Sequence, residues 1–258
     1  MRYVITGGCS FIGSHVVQLL KSKGKEVAII DKITNRELID QQALLQNVQH
    51  FYTDISDPEL MEKALLPDDI VIHLAAQSHV DISFKNPIQT TISNVVGIHI
   101  LLAACVKRGV EKIVIMSTDE VYGSTEEIVD VNLLNPANPY SASKAAADMI
   151  VSAYKTMHPE ITITTLRSNN IAGPGQFINN IIPRFSVLGL LKKKFTLHCD
   201  GSAMGIYLRV KDAAEAIWLL ADEATKSQIY HIRHEEKFSN LEIAEKIGEH
   251  LDHFRNRV

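Results

Sequence analysis

The sequence predicts an α/β chain built on a doubly wound parallel sheet, and three observations carry that prediction. Apolar runs of strand length, such as Val27-Ala28-Ile29-Ile30 and Ile113-Val114-Ile115-Met116, alternate with segments whose apolar residues recur at helical spacing. The first run leads through Gly7, Gly8 and Gly13 directly into one of those helical segments. An acidic residue, Asp31, closes the second run and stands 18 residues beyond Gly13.

Composition agrees with a globular protein acting on small molecules. At 258 residues there is room for one large α/β domain and a small appendage, and 46% hydrophobic with 22% charged content is enough to bury a core. A formal net charge of −4 gives no electrostatic reason to expect nucleic acid or an anionic membrane as partner. Cys9, Cys105 and Cys199 are odd in number and far apart, which argues against a disulfide framework or a zinc cluster and fits a reduced cytoplasm. The first strand starts within three residues of the N-terminus, leaving no room for a signal peptide, and no apolar run reaches membrane-spanning length; a cytoplasmic location is expected.

In chain order, Tyr3-Val4-Ile5-Thr6 reads as the first strand, and the turn Gly7 to Ser14 opens a helix with Val16, Val17, Leu19 and Leu20 on its apolar face. Val27 to Ile30 forms the second strand. Asp31 after it matches the dinucleotide fingerprint, in which a carboxylate accepts from ribose hydroxyls and repels a 2′-phosphate, so NAD is favoured over NADP. The third strand is Val48 to Tyr52. Asp54 beyond it either caps a helix near Pro58 to Leu66 or faces the cofactor. Ile70 to Leu74 is the fourth strand, followed by the small residues Ala75 and Ala76 that leave space above the sheet. His73 and His79 have no carboxylate or cysteine at ligand spacing, and no metal is expected. Asn86-Pro87 opens a long helix running to about Arg108, with a broad apolar surface from Ile92 to Val106.

The polar cluster with chemical spacing runs from Ser117 to Lys144. Ile113 to Met116 is a buried strand, so Ser117, Thr118, Asp119 and Glu120 sit at its C-terminal end, where open α/β sheets bind ligands. Asn138 is a good helix N-cap, Pro139 a good first residue, and Ala145 to Ala147 strong helix formers. Tyr140 and Lys144 therefore share one helix face, where an ammonium beside a phenol lowers the phenol's pKa and prepares it as a base. Two adjacent carboxylates suit an elimination, which needs one acid and one base with separated pKa values.

Ile161 to Leu166 is a sixth strand. The cluster Asn169-Asn170-Ile171-Ala172-Gly173-Pro174-Gly175 then marks a boundary, dividing the chain into residues 1–170 and a C-terminal part, 171–258. Asn179 to Leu188 and Lys211 to Leu220 read as helices, the second returning to the main sheet, and Ser239 caps a helix to about His250. Lys192 to Lys194 reads as a solvated turn able to steer phosphates.

Together, the glycine turn with Asp31, Thr-Asp-Glu-Val-Tyr-Gly at Thr118 to Gly123, and Tyr140-x-x-x-Lys144 resemble the extended short-chain dehydrogenase/reductases, and among them the NAD-dependent nucleotide-sugar 4,6-dehydratases of the dTDP-glucose type. The resemblance covers nearly the whole chain. It implies a Rossmann domain at 1–170 and a partial substrate domain at 171–258. It also implies NAD held by Gly7, Ser10, Phe11, Ile12, Gly13, Asp31, Lys32, Asp54 (at the adenine edge), Ile55, Leu74, Ala75, Ala76, Ser117, Tyr140 and Lys144. As catalytic set it implies Thr118, Asp119, Glu120, Tyr140 and Lys144. Tyr140 takes the proton of the sugar 4-hydroxyl, Thr118 bonds the resulting ketone, Glu120 removes the C5 proton and Asp119 protonates the departing 6-hydroxyl. Ser78, Asn169, Asn170, Asn179 and Arg209 are implied for a nucleotide-sugar substrate, and a homodimer through helices 88–108 and 140–157.

The sequence departs from the family pattern at Ser10 (glycine in the family), Gln77 (glutamate), Gly205 (an arginine for the diphosphate) and Asn179-Asn180 (a Glu-Lys pair). The chain ends at Val258, before a family segment that closes over the nucleotide, so weaker or differently built substrate recognition is expected, with Arg209 the best replacement for the arginine at position 205. A 4-epimerase or reductase of the same fold, and a catalytically reduced NAD-binding protein, are the competing readings.

Overall fold

A computed structural model describes residues 1–32, 44–123, 130–197 and 200–255; Cys199 lies outside the described residues. Six strands come from the apolar runs expected of them: β1 (Arg2–Thr6), β2 (Glu26–Asp31), β3 (Gln49–Tyr52), β4 (Ile70–His73), β5 (Lys112–Thr118) and β6 (Thr162–Ser168). A seventh, β9 (Ile229–Ile232), completes a sheet of order β3-β2-β1-β4-β5-β6-β9, in which every pairing is parallel. Sequence reading had not marked β9, because Ile229-Tyr230-His231-Ile232 is too short and polar to stand out. Beyond β6, β7 (Asn170–Ala172), β8 (Met204–Arg209) and β10 (Lys237–Ser239) form a second, three-stranded sheet.

Helices cover both faces, as a parallel sheet requires. They are α1 (Phe11–Ser22), α2 (Pro58–Ala64), α3 (Val80–Lys85), α4 (Pro87–Arg108), α5 (Pro139–Met157), α6 (Ile181–Leu190), α7 (Val210–Glu223) and α8 (Asn240–Arg255). One core layer gathers Val71, Ile98, Leu101, Leu102, Ile113 and Val151 between the sheet and α2, α4 and α5. The opposite layer gathers Ile5, Val17, Leu20, Ile72, Ala214 and Ile217 beneath α1 and α7. The cap of α2 is Asp57, whose side chain accepts from Leu60 N–H at 3.0 Å, which frees Asp54 from that duty.

The sequence-based expectation about membrane length needs correction. The 22-residue helix α4 is long and apolar enough to cross a membrane by length and composition alone. Its buried residues Ile98, Leu101, Leu102 and Cys105 pack into the core, which accounts for its apolar face without a bilayer. Its middle, Ile92–Val96, is π-helical, and that local widening turns Asn94 inward to be buried at 2% exposure.

At the amino ends of the central strands β1 and β4, Arg2 forks onto Asp69 with bonds of 2.9 and 2.7 Å, and the two residues are 7% and 3% exposed. Removing one partner strands a buried charge. Arg2→Ala should therefore lower unfolding free energy by about 3–5 kcal/mol in urea titration, and the double variant Arg2→Met/Asp69→Leu should lose much less.

Candidate active site

The carboxyl ends of β1, β2, β4, β5 and β6 open onto one cavity of about 680 Å³. Its first wall is the turn between β1 and α1. Gly7 has φ +71°, and a Cβ there would lie 2.7 Å from the Ala75 amide nitrogen; a Cβ on Gly13 would collide with the Gly7 carbonyl oxygen. Both glycines are thus demanded by a tight turn that lets backbone approach a ligand. Ser10 N-caps α1, accepting from Gly13 N–H at 3.2 Å with φ −78°, so its Cβ sits in ordinary backbone and its hydroxyl proton remains free to donate. Asp31 accepts from Cys9 N–H at 2.9 Å, and Asp54 takes Lys32 Nζ at 2.8 Å together with the Ser56 N–H and hydroxyl. Those bonds hold the Asp54 carboxyl below its usual range against the opposing effect of burial. A helix N-terminus, a cleared backbone cradle and a ribose-height carboxylate form a donor and acceptor set suited to a dinucleotide.

The second wall carries the reactive residues. Asn138 caps α5, its Oδ1 accepting from Ser141 N–H at 2.8 Å, and Pro139 takes the first helical position. This sets Tyr140 and Lys144 one turn apart on the cavity face. Lys144 is 5% exposed, and its ammonium donates to the Met116 carbonyl of β5 at 2.7 Å. Burial lowers its pKa, while Asp148, one turn further on, works in the opposite direction. His73 beneath it is held neutral, pushed down to about 3 by burial and by Lys144, and bonds Thr6 Oγ1 at 2.7 Å as a packing residue.

Tyr140 departs from expectation. Its pKa is raised above the ordinary phenol value, chiefly by burial and then by the charge of Glu120, with a hydrogen bond from Thr118 acting the other way and Asp119 and Asp148 adding to the rise. Spacing along α5 revealed Lys144 but could not reveal that the fold also brings three carboxylates near the phenol.

Asp119 and Glu120 lie in a 3₁₀ turn, Asp119–Tyr122, capped by Thr118, which accepts from Glu120 N–H at 3.2 Å. Glu120 Oε2 accepts from Asn138 Nδ2 at 3.1 Å, and Asp119 accepts a short bond from Asn169. Burial raises both carboxyls, and both amide bonds oppose it. Behind them, Asp148 takes Arg167 at 2.8 Å and Ser117 Oγ at 3.0 Å, tying α5 to β5 and β6.

The cavity wall includes Gly7, Ser10, Phe11, Ile12, Asp31, Lys32, Asp54, Ile55, Leu74, Ala75, Ala76, Ser78, Ser117, Thr118, Glu120, Tyr140, Lys144, Asn169 and Asn170. Gly13, Asp119, Asn179 and Arg209 are not part of it: Gly13 packs beneath the turn, Asp119 stands behind Asn169, and Asn180 rather than Asn179 faces the space. Arg209 is drawn off by Asp212, with bonds of 2.7 and 2.9 Å, and is exposed at the start of α7. A Cβ at position 205 would meet the Tyr207 ring at 2.8 Å, so an arginine there would require that side chain to move. Lys192 to Lys194 line a separate depression with Phe195 and Leu251.

Sequence reading missed Tyr207, Gln176 and Phe177 on the substrate side, and Asn94, which clamps the Gln77 backbone at 2.8 and 3.0 Å and bonds Ser143 at 2.9 Å. An asparagine on the apolar face of α4 was the available signal. Among the described residues, no group of three or more histidines, cysteines or carboxylates is placed to hold a metal ion.

Comparison with known proteins agrees with this geometry. Residues 4–256 match the family model described as GDP-mannose 4,6 dehydratase. A Dictyostelium discoideum dTDP-D-glucose 4,6-dehydratase is 39% identical over 95% of this chain, and the chain spans 61% of that protein's length. The Streptomyces venezuelae dTDP-glucose 4,6-dehydratase, solved with NAD bound, superposes at TM-score 0.89 with 31% identity, covering 98% of this chain and 81% of its own. The Thermus thermophilus UDP-glucose 4-epimerase, also solved with NAD, gives 0.87 at 31% identity, covering 98% and 84%.

The raised carboxyls make a stability prediction. A carboxyl whose folded pKa lies above its ordinary value, 3.8 for Asp119 and 4.5 for Glu120, contributes stability that is full below those values and is lost as pH rises through the raised folded pKa. Asp119→Asn and Glu120→Gln should each raise Tm at neutral pH by about 1–4 °C, with the gain vanishing in acid, as read by thermal melts across pH.

Proposed function

The chain belongs to the GDP-mannose 4,6 dehydratase family, within the extended short-chain dehydrogenase/reductases, and on that premise we propose that it removes water from a nucleotide-activated hexose to give a 4-keto-6-deoxy sugar with NAD as cofactor. One observation carries the reading: a single cavity sets Thr118, Glu120, Tyr140 and Lys144 against the glycine turn and Asp31, with Asp119 just behind.

Gly7, Ser10, Asp31, Asp54, Ala75, Ala76 and Lys144 would hold the cofactor, the first through backbone approach and the two carboxylates through ribose and adenine. When bound, NAD supplies the acceptor for hydride from C4 and its return to C6, and its oxidised ring carries positive charge that the site's carboxylates otherwise outweigh. Tyr140 takes the 4-hydroxyl proton. Its raised pKa disfavours phenolate in the protein alone; a bound cationic nicotinamide would favour it, as would the positive charge of Lys144 on the same helix face. Thr118 donates to the forming 4-ketone. That ketone acidifies C5, Glu120 removes the C5 proton, the C6–O bond breaks, and Asp119 delivers the proton that makes the leaving hydroxyl water. A 4-epimerase shares Tyr140 and Lys144 but has no step that uses the carboxylate pair. Free thiols at Cys9 and Cys105 and the packed state of α4 support a cytoplasmic, non-membrane setting. Exposed Ile88, Met149 and Met157, at 74%, 63% and 66%, support a homodimer through helices 88–108 and 140–157.

Incubation with dTDP-, UDP-, GDP- and CDP-hexoses, followed by mass spectrometry, should reveal one substrate that loses one water; no loss from any of them contradicts the reading. Tyr140→Phe should abolish oxidation. Glu120→Gln and Asp119→Asn should instead accumulate reduced nicotinamide, visible by absorbance, with turnover reduced about 10²-fold or more. Calorimetry should give much weaker binding of NADP than of NAD, and Asp31→Ala should narrow the gap, because the carboxylate opposes a 2′-phosphate.

A further inference from the structure

We propose that Asn138 is a positioning residue for the elimination step, its amide tying the Glu120 carboxylate to the first turn of α5 so that base and phenol share one rigid frame. The proposal rests on the dehydration reading above. One side chain makes both bonds: Oδ1 closes the helix cap on Ser141 N–H at 2.8 Å, and Nδ2 donates to Glu120 Oε2 at 3.1 Å. The reverse bond of the capping box, Asn138 N–H to Ser141 Oγ at 3.1 Å, removes the freedom of the loop just before the helix. Tyr140, two residues on, is fixed in turn by its N–H on Ser83 Oγ at 3.1 Å, and Ser83 is fully buried. Glu120 and Tyr140 come from different elements, and the Asn138 amide bonds the Glu120 carboxylate itself to the first turn of the helix that carries Tyr140.

The cap alone does not call for asparagine. Serine and aspartate cap helices about as well. Of the three, aspartate has no proton to give and serine has one hydroxyl on a shorter side chain, whereas asparagine carries its N–H group beyond the capping oxygen, and that group is the one Glu120 receives. The donor is neutral, so it orients the carboxylate while leaving it more basic than a cation would. Other groups face Glu120 as well. Asp119 on its own turn repels it, Tyr140 and Lys144 face it from α5, the segment after β6 presents neutral Asn169, and His79 and Tyr207 are the titratable residues of the cavity's substrate side. Burial and Asp119 raise the Glu120 pKa and the Asn138 bond lowers it, so loss of the bond moves it up.

Asn138→Ser keeps the cap and takes away the amide donor, leaving one hydroxyl on a shorter side chain; Asn138→Asp keeps the cap and sets a like charge against Glu120. The test is carboxyl NMR titration of glutamate-labelled protein, with the Glu120 signal identified by its loss in Glu120→Gln, beside thermal melts and the pH profile of kcat. Melts near that of the natural protein are expected, with the Glu120 midpoint raised by about half to one unit in Asn138→Ser and further in Asn138→Asp. The acid limb of kcat should move by the same amount, while the first formation of reduced nicotinamide keeps its rate. A Glu120 midpoint unchanged in both variants overturns the proposal, as does a shifted midpoint with an unshifted kcat profile. A natural protein that dehydrates no nucleotide hexose refutes the dehydration reading instead, and the titration still decides whether Asn138 governs Glu120.

Discussion

The ammonium of Lys144 on the Met116 carbonyl, at 2.7 Å, is the contact on which the site's geometry depends. It joins the second turn of α5 to the C-terminal part of β5, and the Ser117 hydroxyl on Asp148 at 3.0 Å fixes the same two elements one helical turn further on. A buried lysine is costly unless it is hydrogen-bonded and compensated. The compensation lies close by: Asp148 is one helical turn away, and it is itself held by Arg167 and Ser117. With α5 fixed in this way, the strand end that carries Thr118 and Glu120 and the helix face that carries Tyr140 must meet at one place.

That meeting explains why the phenol and the two carboxyls all have raised pKa values. Burial raises each of them; the charge of Asp119 adds to the rise at Glu120, and both carboxylates add to the rise at Tyr140. In a storage or structural protein such crowding would be pure cost. Here, apart from the capping Thr118, the side-chain donors the structure gives those carboxylates among the described residues are the neutral amides of Asn138 and Asn169, so no cation pins either one. The substrate side follows the same pattern of neutrality. Tyr207, Gln176, Asn170 and Asn180 line it, while Arg209 is occupied by Asp212. Gly205 leaves room for the Tyr207 ring, which a Cβ at that position would meet at 2.8 Å.

Much of the framework was legible because local rules and the fold agree. Apolar runs gave six of the seven strands in the main sheet, Asn138 and Pro139 gave the start of α5, and the spacing from Gly13 to Asp31 placed the cofactor wall. What stayed hidden depends on contacts between segments distant in sequence. The register that sets Glu120 beside Tyr140, the π-helical turn that points Asn94 at Gln77, and β9 pairing with β6 have no local signature. Arg209 shows the reverse case. Its partner Asp212 lies at i,i+3, a local spacing, whereas the expected substrate role rested on nearness to Gly205 along one strand.

The half-buried phenol and carboxyls of Tyr140, Glu120 and Asp119, set beside buried Thr118 and Lys144, suit an elimination rather than a simple oxidation and reduction at C4. Turnover of a nucleotide hexose in heavy water tests it most directly, because removal of the C5 proton by Glu120 exposes that carbon to solvent. The account predicts a 4-keto-6-deoxy product that has lost one water and carries deuterium at C5. A C4 epimer, or a keto sugar that keeps its 6-hydroxyl and has no deuterium at C5, would contradict it.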